Sequence, residues 1–386
     1  MRIAAVICEY NPFHNGHKFH IEETRKMTKA DAVVAVMSGN FVQRGDVAVF
    51  DKKTRAAAAV AGGADIVLEL PSICSMQSAE FFARNAVYIL SSLETVTHLS
   101  FGAETDDVQS LFQVGRLLAD EPEDFKAALA RHMSGGASFP SARMAAVSEI
   151  LGSEYASLLK YPNNILGIEY IKALSFSDSP IVPVAVQRCG TAHDSDTGNG
   201  TIASASYIRS LLLSGDIAGA ERYIPPECAE IYRNAKLHSV KGMERAIIAD
   251  IIKKPAAVLK YVPDVSEGLE NRIKNAAKTA QTFDGLCHAV KTKRYTLSRI
   301  RRIILSAYLD FTLNDRERLP EYIRVLAHND MGRRVIAESK KYASLPIVRN
   351  NSQINRLGLA ARIENDPRAV RDREEMLDLV YKKFEK

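Results

Sequence analysis

The chain has 386 residues, 46% of them hydrophobic and 25% charged, which excludes a disordered or low-complexity protein and suggests about two domains. No apolar run reaches the roughly 18 residues that span a bilayer, and the opening MRIAAVICEYNP is too short for a leader peptide, so a cytoplasmic protein with no membrane partner is expected. Net charge is +5, a weak pull towards polyanions, and five scattered cysteines without a CxxC pair exclude a zinc ribbon or a disulfide framework.

Short apolar runs open the chain at IAAVIC (3–8), AVVAVM (32–37), DIVLEL (65–70) and THLSFG (97–102). Helix-like segments separate them, and strand–helix–strand repeats of this kind predict βαβ units and a parallel sheet. The runs are continuously apolar rather than alternating, which fits strands buried on both faces. Residues 105–176 read as a helical insertion, and SPIVPVAVQR (179–188) reads as a fifth strand. A loop rich in Gly, Ser, Thr and Asp (189–206) then leads into a capped helix, ASASYIRSLLLSG. Beyond Pro225-Pro226 the strand signals fade and the chain is helix-like and basic. The expected fold is therefore α/β: a doubly wound, parallel, five-stranded domain over 1–225 with a helical insertion at about 105–176, followed by an α-helical, basic domain over 226–386.

The stretch after the first strand is EYNPFHNGHKFH, with His14, His17 and His20 inside seven residues. There is no GxxxxGK[ST] and no GxGxxG at this turn, which sets aside a Walker-type loop and weakens a dinucleotide reading. In an open α/β sheet this turn lies on the ligand-binding edge, and a helix starting there presents amides that favour an anion. Imidazoles at that point can donate to phosphate oxygens and steady charge that develops during group transfer. A His17/His20 metal pair lacks an acidic or cysteine ligand at helical spacing, so no metal site is expected.

PFHNGH resembles the His-x-Gly-His motif of the nucleotidyltransferase superfamily, which includes class I aminoacyl-tRNA synthetases. Ser204-Ala205-Ser206-Tyr207-Ile208-Arg209 is similar to the superfamily's second signature, a Ser-rich turn ahead of a helix. Together with MSGNFVQRGDVAVFDKKTRAAAAVAGGADIVLELP, SFGAETDD and YPNNILGIEYIKAL, these motifs resemble the bacterial tRNA(Met) cytidine acetate ligase family along nearly its whole length. Lys53 departs from the pattern, which has Trp after Asp-Lys; this chain has no Trp.

The resemblance implies a Rossmann-like nucleotidyltransferase domain that joins acetate to ATP as acetyl-adenylate. The acetyl group then passes to N4 of the wobble cytidine of elongator tRNA(Met). A small-molecule adenylyltransferase of the same superfamily is the alternative, and the large basic second region counts against it. It further implies that Ile7, Cys8, Glu9, Tyr10, Asn11, Pro12, Phe13, His14, Asn15, Gly16, His17, Lys18, Phe19 and His20 wrap the ATP, with His14, His17 and Arg209 catalytic. Gly102, Asn163 or Asn164, Arg188, Ser204 and Ser206 complete the expected nucleotide site, and Mg²⁺ is expected to bridge phosphates.

SGNFVQRGD (38–46) follows the second strand on the same edge, so Asn40, Gln43 and Arg44 are candidates to line the acetate or cytidine site. Lys52, Lys53 and Arg55 begin the next helix, where the dipole disfavours cations, and either an anionic partner nearby or a solvated face would explain them. KTKRYTLSRIRR is the densest basic run, and Lys291, Lys293, Arg294, Arg299, Arg301 and Arg302 are expected to meet tRNA phosphates.

Overall fold

The computed structural model describes residues 1–105, 107–177, 179–188, 200–356 and 373–385. Most of the Gly-rich loop, including Cys189, and residues 357–372 lie outside the described residues. The strands are β1 (Ile3–Cys8), β2 (Ala32–Ser38), β3 (Phe41–Val42), β4 (Asp46–Val47), β5 (Ile66–Leu70), β6 (His98–Ala103), β7 (Val182–Gln187), β8 (Ile323–His328) and β9 (Ile347–Val348). One sheet runs β7-β6-β1-β2-β5-β8-β9, and β3 with β4 forms a small antiparallel ribbon.

The first five strands of that order are mutually parallel, as their continuous apolarity requires, with Ala5 of β1 level with Val34 and Leu99. β1 to β2 to β5 builds outward in one direction, and β6 to β7 builds in the other. The reversal opens a crevice at the carboxyl ends of β1 and β6, the place where α/β sheets bind ligands.

The sheet has seven strands where five were expected, and the region after 225 is not wholly helical. β8 extends the sheet antiparallel to β5, and β9 pairs with β8. The run IRVLAH is short and carries a charge, Arg324, which hid it among basic helices. That charge is met by Glu69 of β5 at 3.4 Å.

Helices cover both faces. One face packs on Ala79–Ser91, Val108–Asp120, Pro162–Phe176 and Asp330–Ser339. The other packs on Asn15–Thr28, Lys52–Ala61, Ala205–Ser214 and Pro226–Arg233. A separate core assembles from Val240 to Phe311, and Phe41, Val47 and Met76 are built into it together with Leu377, Tyr381 and Phe384. The β3–β4 ribbon thus ties the ligand edge of the sheet to the helical unit. Cys8, Cys74, Cys228 and Cys287 are free thiols. Among the described residues no helix is long and apolar enough to cross a membrane.

Candidate active site

After Cys8 the chain turns sharply, with Tyr10 at φ 44° and a cis Asn11–Pro12 bond. The turn is held from outside: Val49 N donates to Asn11 Oδ1 (2.8 Å), and Phe13 N donates to the Tyr232 hydroxyl (2.9 Å). His14 is the N-cap of the Asn15–Thr28 helix, and its Nδ1 accepts from Gly16 N at 3.1 Å. His17 Nδ1 accepts in return from His14 N at 3.3 Å, and the two rings stack 3.7 Å apart. This is a capping box in which imidazoles replace the usual hydroxyl and carboxylate.

Since both Nδ1 atoms accept backbone N–H groups, each neutral ring carries its proton on Nε2 and can donate from there. Burial, then the charges of Arg188 and Arg209, lowers His14 to about 3. Burial, His14 and Arg188 hold His17 well below the ordinary histidine range. The site therefore presents neutral donors, and the arginines supply the charge.

Arg209 lies on the Ala205–Ser214 helix, which Ser204 Oγ caps by accepting from Tyr207 N (3.2 Å); Ser206 Oγ lies 3.0 Å from Ser204 Oγ. The Arg209 guanidinium donates to Asn11 O at 2.7 Å, bringing the two motifs into contact. Arg188, just past β7, donates to Asn163 Oδ1 at 3.2 Å. Glu104, just past β6, accepts from Asn163 Nδ2 (2.6 Å) and Asn164 N (3.0 Å) and so caps the Pro162–Phe176 helix. Asn164 is buried with its Oδ1 on Glu104 N, leaving Asn163 as the asparagine beside the cleft. A Cβ on Gly102 would meet only Arg188, its Cγ at an ordinary 3.4 Å, so the protein itself leaves the space in front of this glycine open.

Several residues of the 7–20 stretch are engaged elsewhere, Asn15 among them, its Nδ2 donating to Thr201 O at 2.8 Å. Lys18 pairs with Glu227 at 2.6 Å, and the His20 ring meets Ser100 Oγ on β6 at 3.1 Å.

The 38–46 loop corrects two expectations. Asn40 is buried, and its amide holds Asp378 (2.8 Å) and the Lys52 amide (2.8 Å), so it fixes the loop instead of reading a base. The Gln43 side chain donates to Gln77 O (3.1 Å), while its backbone N bonds Glu9 Oε1 (2.7 Å). Arg44 is exposed. Of the cations of the next helix, Lys53 is exposed, whereas buried Lys52 pairs with Glu69 (2.6 Å) and Asp378 (2.8 Å). Buried Arg55 donates to the carbonyls of Glu9 (2.5 Å), Phe50 (2.9 Å), Ser38 (3.1 Å) and Gly39, binding together the ends of β1 and β2.

The basic run is corrected in the same way. Arg302 is buried against Gln43 O (3.4 Å) and Asp264 (3.5 Å), and Arg301 is paired with Asp46 (2.8 Å) and Asp284. Arg299 donates to Asp264 O (2.8 Å) and lies over Tyr295, and Arg294 pairs with Glu267. From Leu297 the run enters the helix Leu297–Tyr308, and Arg299, Arg301 and Arg302 tie that helix to its neighbours. Lys291, Lys293 and Arg294 are exposed, the last in a surface pair with Glu267.

A family model described as HIGH Nucleotidyl Transferase matches residues 1–383. A tRNA(Met) cytidine acetate ligase of Clostridium kluyveri is 39% identical over 364 residues, 90% of this chain and 89% of the relative. One from Acetivibrio thermocellus is 37% identical over 365 residues, 90% and 88% of the two chains. The chain belongs to this ligase family. A crystal structure of Thermotoga maritima TmcAL bound with alpha-thio ATP superposes with a TM-score of 0.88 at 32% identity, covering 100% of this chain and 95% of that one. Its apo form gives 0.91 at 31% identity, covering 100% and 96%.

Within the ligase fold, Glu104 is an organising residue that motif reading passed over, and Arg55 organises the strand ends in a way that its place at a helix start does not signal. Glu104 stands inside SFGAETDD, where an acid one residue past a strand is a legible helix-capping candidate. Arg55 carries no such signal, because its partners are main-chain carbonyls.

Proposed function

We propose that this protein joins acetate to tRNA in an ATP-dependent reaction, forming acetyl-adenylate and passing the acetyl group to N4 of the wobble cytidine of elongator tRNA(Met). The observation that carries the reading is the paired His14–His17 cap, two neutral Nε2–H donors at a helix N-terminus between Arg188 and Arg209. In the first step an acetate oxygen bonds to the α-phosphorus, and the bond from that phosphorus to the bridging oxygen breaks, releasing pyrophosphate. Nothing on the protein has to act as nucleophile; positioning and neutralisation of charge on the phosphates supply the rate. His14 and His17 would donate to phosphate oxygens, and Arg209 and Arg188 would balance charge on the departing pyrophosphate.

Among the described residues no group of three or more His, Cys, Asp or Glu side chains is placed to hold a metal. Mg²⁺ would arrive as part of the MgATP substrate, held chiefly by phosphates and water. In this reading the enzyme works in the cytoplasm. Purified protein incubated with ATP and radiolabelled acetate should place label in tRNA, recovered as N4-acetylcytidine. Label that never enters tRNA while adenylate passes to a small phosphorylated acceptor would overturn the reading.

A further inference from the structure

A cavity of about 230 Å³ opens beside the site, between the sheet unit and the helical unit. Asp46, Arg209, His238, Ser239, Asp284 and Arg301 contribute to its wall. Arg209 belongs to both places, since the same guanidinium that lines the cavity holds Asn11 O in the nucleotide turn. The cavity wall is charged and supplies both donors and acceptors. Another cavity of similar size, about 250 Å³ around Phe50, Leu212 and Tyr232, is mostly apolar.

Asp46 is fixed in this wall. Its Oδ1 accepts from Val47 N (2.9 Å) and its Oδ2 from Arg301 Nη2 (2.8 Å). Arg301 is itself held by Gly45 O (3.1 Å) and by Asp284. A carboxylate has about four acceptor positions, so capacity remains after these two bonds. The space is far more than acetate fills, and it is of a size for a flat heterocycle. An enzyme that modifies a base must take that base out of its stack and bring the reacting atom to the cofactor or activated group. Among protein groups, a carboxylate is the natural acceptor for the exocyclic amine of cytosine.

We propose that this cavity receives the acceptor cytosine of the RNA, with the Asp46 carboxylate accepting the hydrogen bond from its exocyclic amino group. The proposal rests on the acetate-ligase reading above. In the transfer step the N4–carbon bond forms and the bond from the acetyl carbon to the phosphate oxygen breaks. AMP leaves with the electron pair, and the N4 proton passes to Asp46. Burial raises the Asp46 carboxyl above the usual carboxylate range against the pull of Arg301, which suits a group that must hold a proton briefly.

The two half-reactions separate the idea from its premise. Acetate-dependent exchange of pyrophosphate into ATP reads adenylation without tRNA, and single-turnover transfer from preformed acetyl-adenylate to tRNA reads the second step. Asp46→Asn should keep exchange within about twofold and slow transfer by about 100-fold or more, the scale of a lost general base. Ser239→Trp fills the cavity from a loop outside the nucleotide turn, and should lose transfer while keeping exchange. Transfer at the unsubstituted rate in both variants, or exchange falling as far as transfer, would overturn the proposal. Absence of exchange in the unsubstituted protein would overturn the ligase reading and this inference with it.

Discussion

His14 and His17 cap one helix end for each other, each Nδ1 accepting a main-chain N–H and the rings lying 3.7 Å apart. The arrangement fixes the tautomer of both rings and keeps both neutral. It leaves the helix start, whose first turn has no acidic residue, available to an anion. One pair of side chains thus serves the fold through Nδ1 and the chemistry through Nε2.

The two roles can be separated at His14. Asparagine is among the best N-caps, so His14→Asn should keep the melting temperature close to that of the parent while losing the Nε2 donor. Acetate-dependent pyrophosphate exchange should fall by about 100- to 1,000-fold, the usual consequence of removing a preorganised donor. His14→Ala should lose the same activity and about 1 kcal/mol of stability besides. Equal activity in the Asn variant and the parent would remove His14 from the chemistry.

The histidines also set an acid limit. His14 is lowered to about 3 and His20 to about 4 from an ordinary 6.5, burial being the first cause for each. Below pH 6.5 the unfolded chain therefore binds protons that the folded chain refuses. Their stabilising contribution is complete above that pH and is lost as pH falls towards 4. Each proton contributes a slope of at most about 1.4 kcal/mol per pH unit. His20→Gln retains a partner for Ser100 and removes one such proton, so its urea midpoint should fall less steeply between about pH 7 and about pH 5 than the parent's. Parallel profiles would count against a neutral, buried His20.

How much of this was legible in the sequence depended on where each residue's partner lies. The inner parallel strands announce themselves because burial on both faces makes IAAVIC or AVVAVM continuously apolar, whereas β7, at the sheet edge, is part-exposed. His14, His17, Ser204 and Arg209 are legible for a similar reason: their roles depend on local spacing at a helix start. The partners of Lys52, Arg55, Arg301 and Arg302 are hidden from the sequence because Glu69, the Glu9 carbonyl, Asp46 and Asp264 are distant in the chain. β8 was hidden by the same kind of pairing, since Arg324 makes sense in a strand only once Glu69 is beside it. Asp46 stood in a loop already noted for its polarity, but only the fold brings it to Arg209.

Lys52 and Glu69 are both buried and meet at 2.6 Å, with Asp378 and Arg324 completing the group. Removing one charge from such a set leaves its partner desolvated, so Lys52→Met should cost about 3–5 kcal/mol. Lys52→Met with Glu69→Leu should recover a measurable part of that loss, giving a coupling of about 0.5–3 kcal/mol in a denaturation cycle. Strict additivity of the two substitutions would mean that the pair does not act as a unit.

The basic run makes a sharper prediction now that its contacts are known. Lys291 and Lys293 are exposed, whereas Arg302 is buried and engaged with Gln43 O and Asp264. Electrostatic binding to RNA arises from charges that can displace counterions, and each phosphate contact adds about 0.7 to 0.9 to the slope of log affinity against log salt. Lys291→Gln with Lys293→Gln should therefore weaken tRNA binding and flatten that slope by between one and two, with little change in melting temperature. Arg302→Met should do the reverse. It should lower stability, because it leaves Asp264 short of a partner and loosens the loop whose Gly45 packs against this helix, where a Cβ would fall 2.4 Å from Arg302 N. Its salt slope should match the parent's. If Arg302→Met flattened the slope at unchanged stability, the guanidinium would have to reach RNA, and the assignment of this helix as an internal brace would fail.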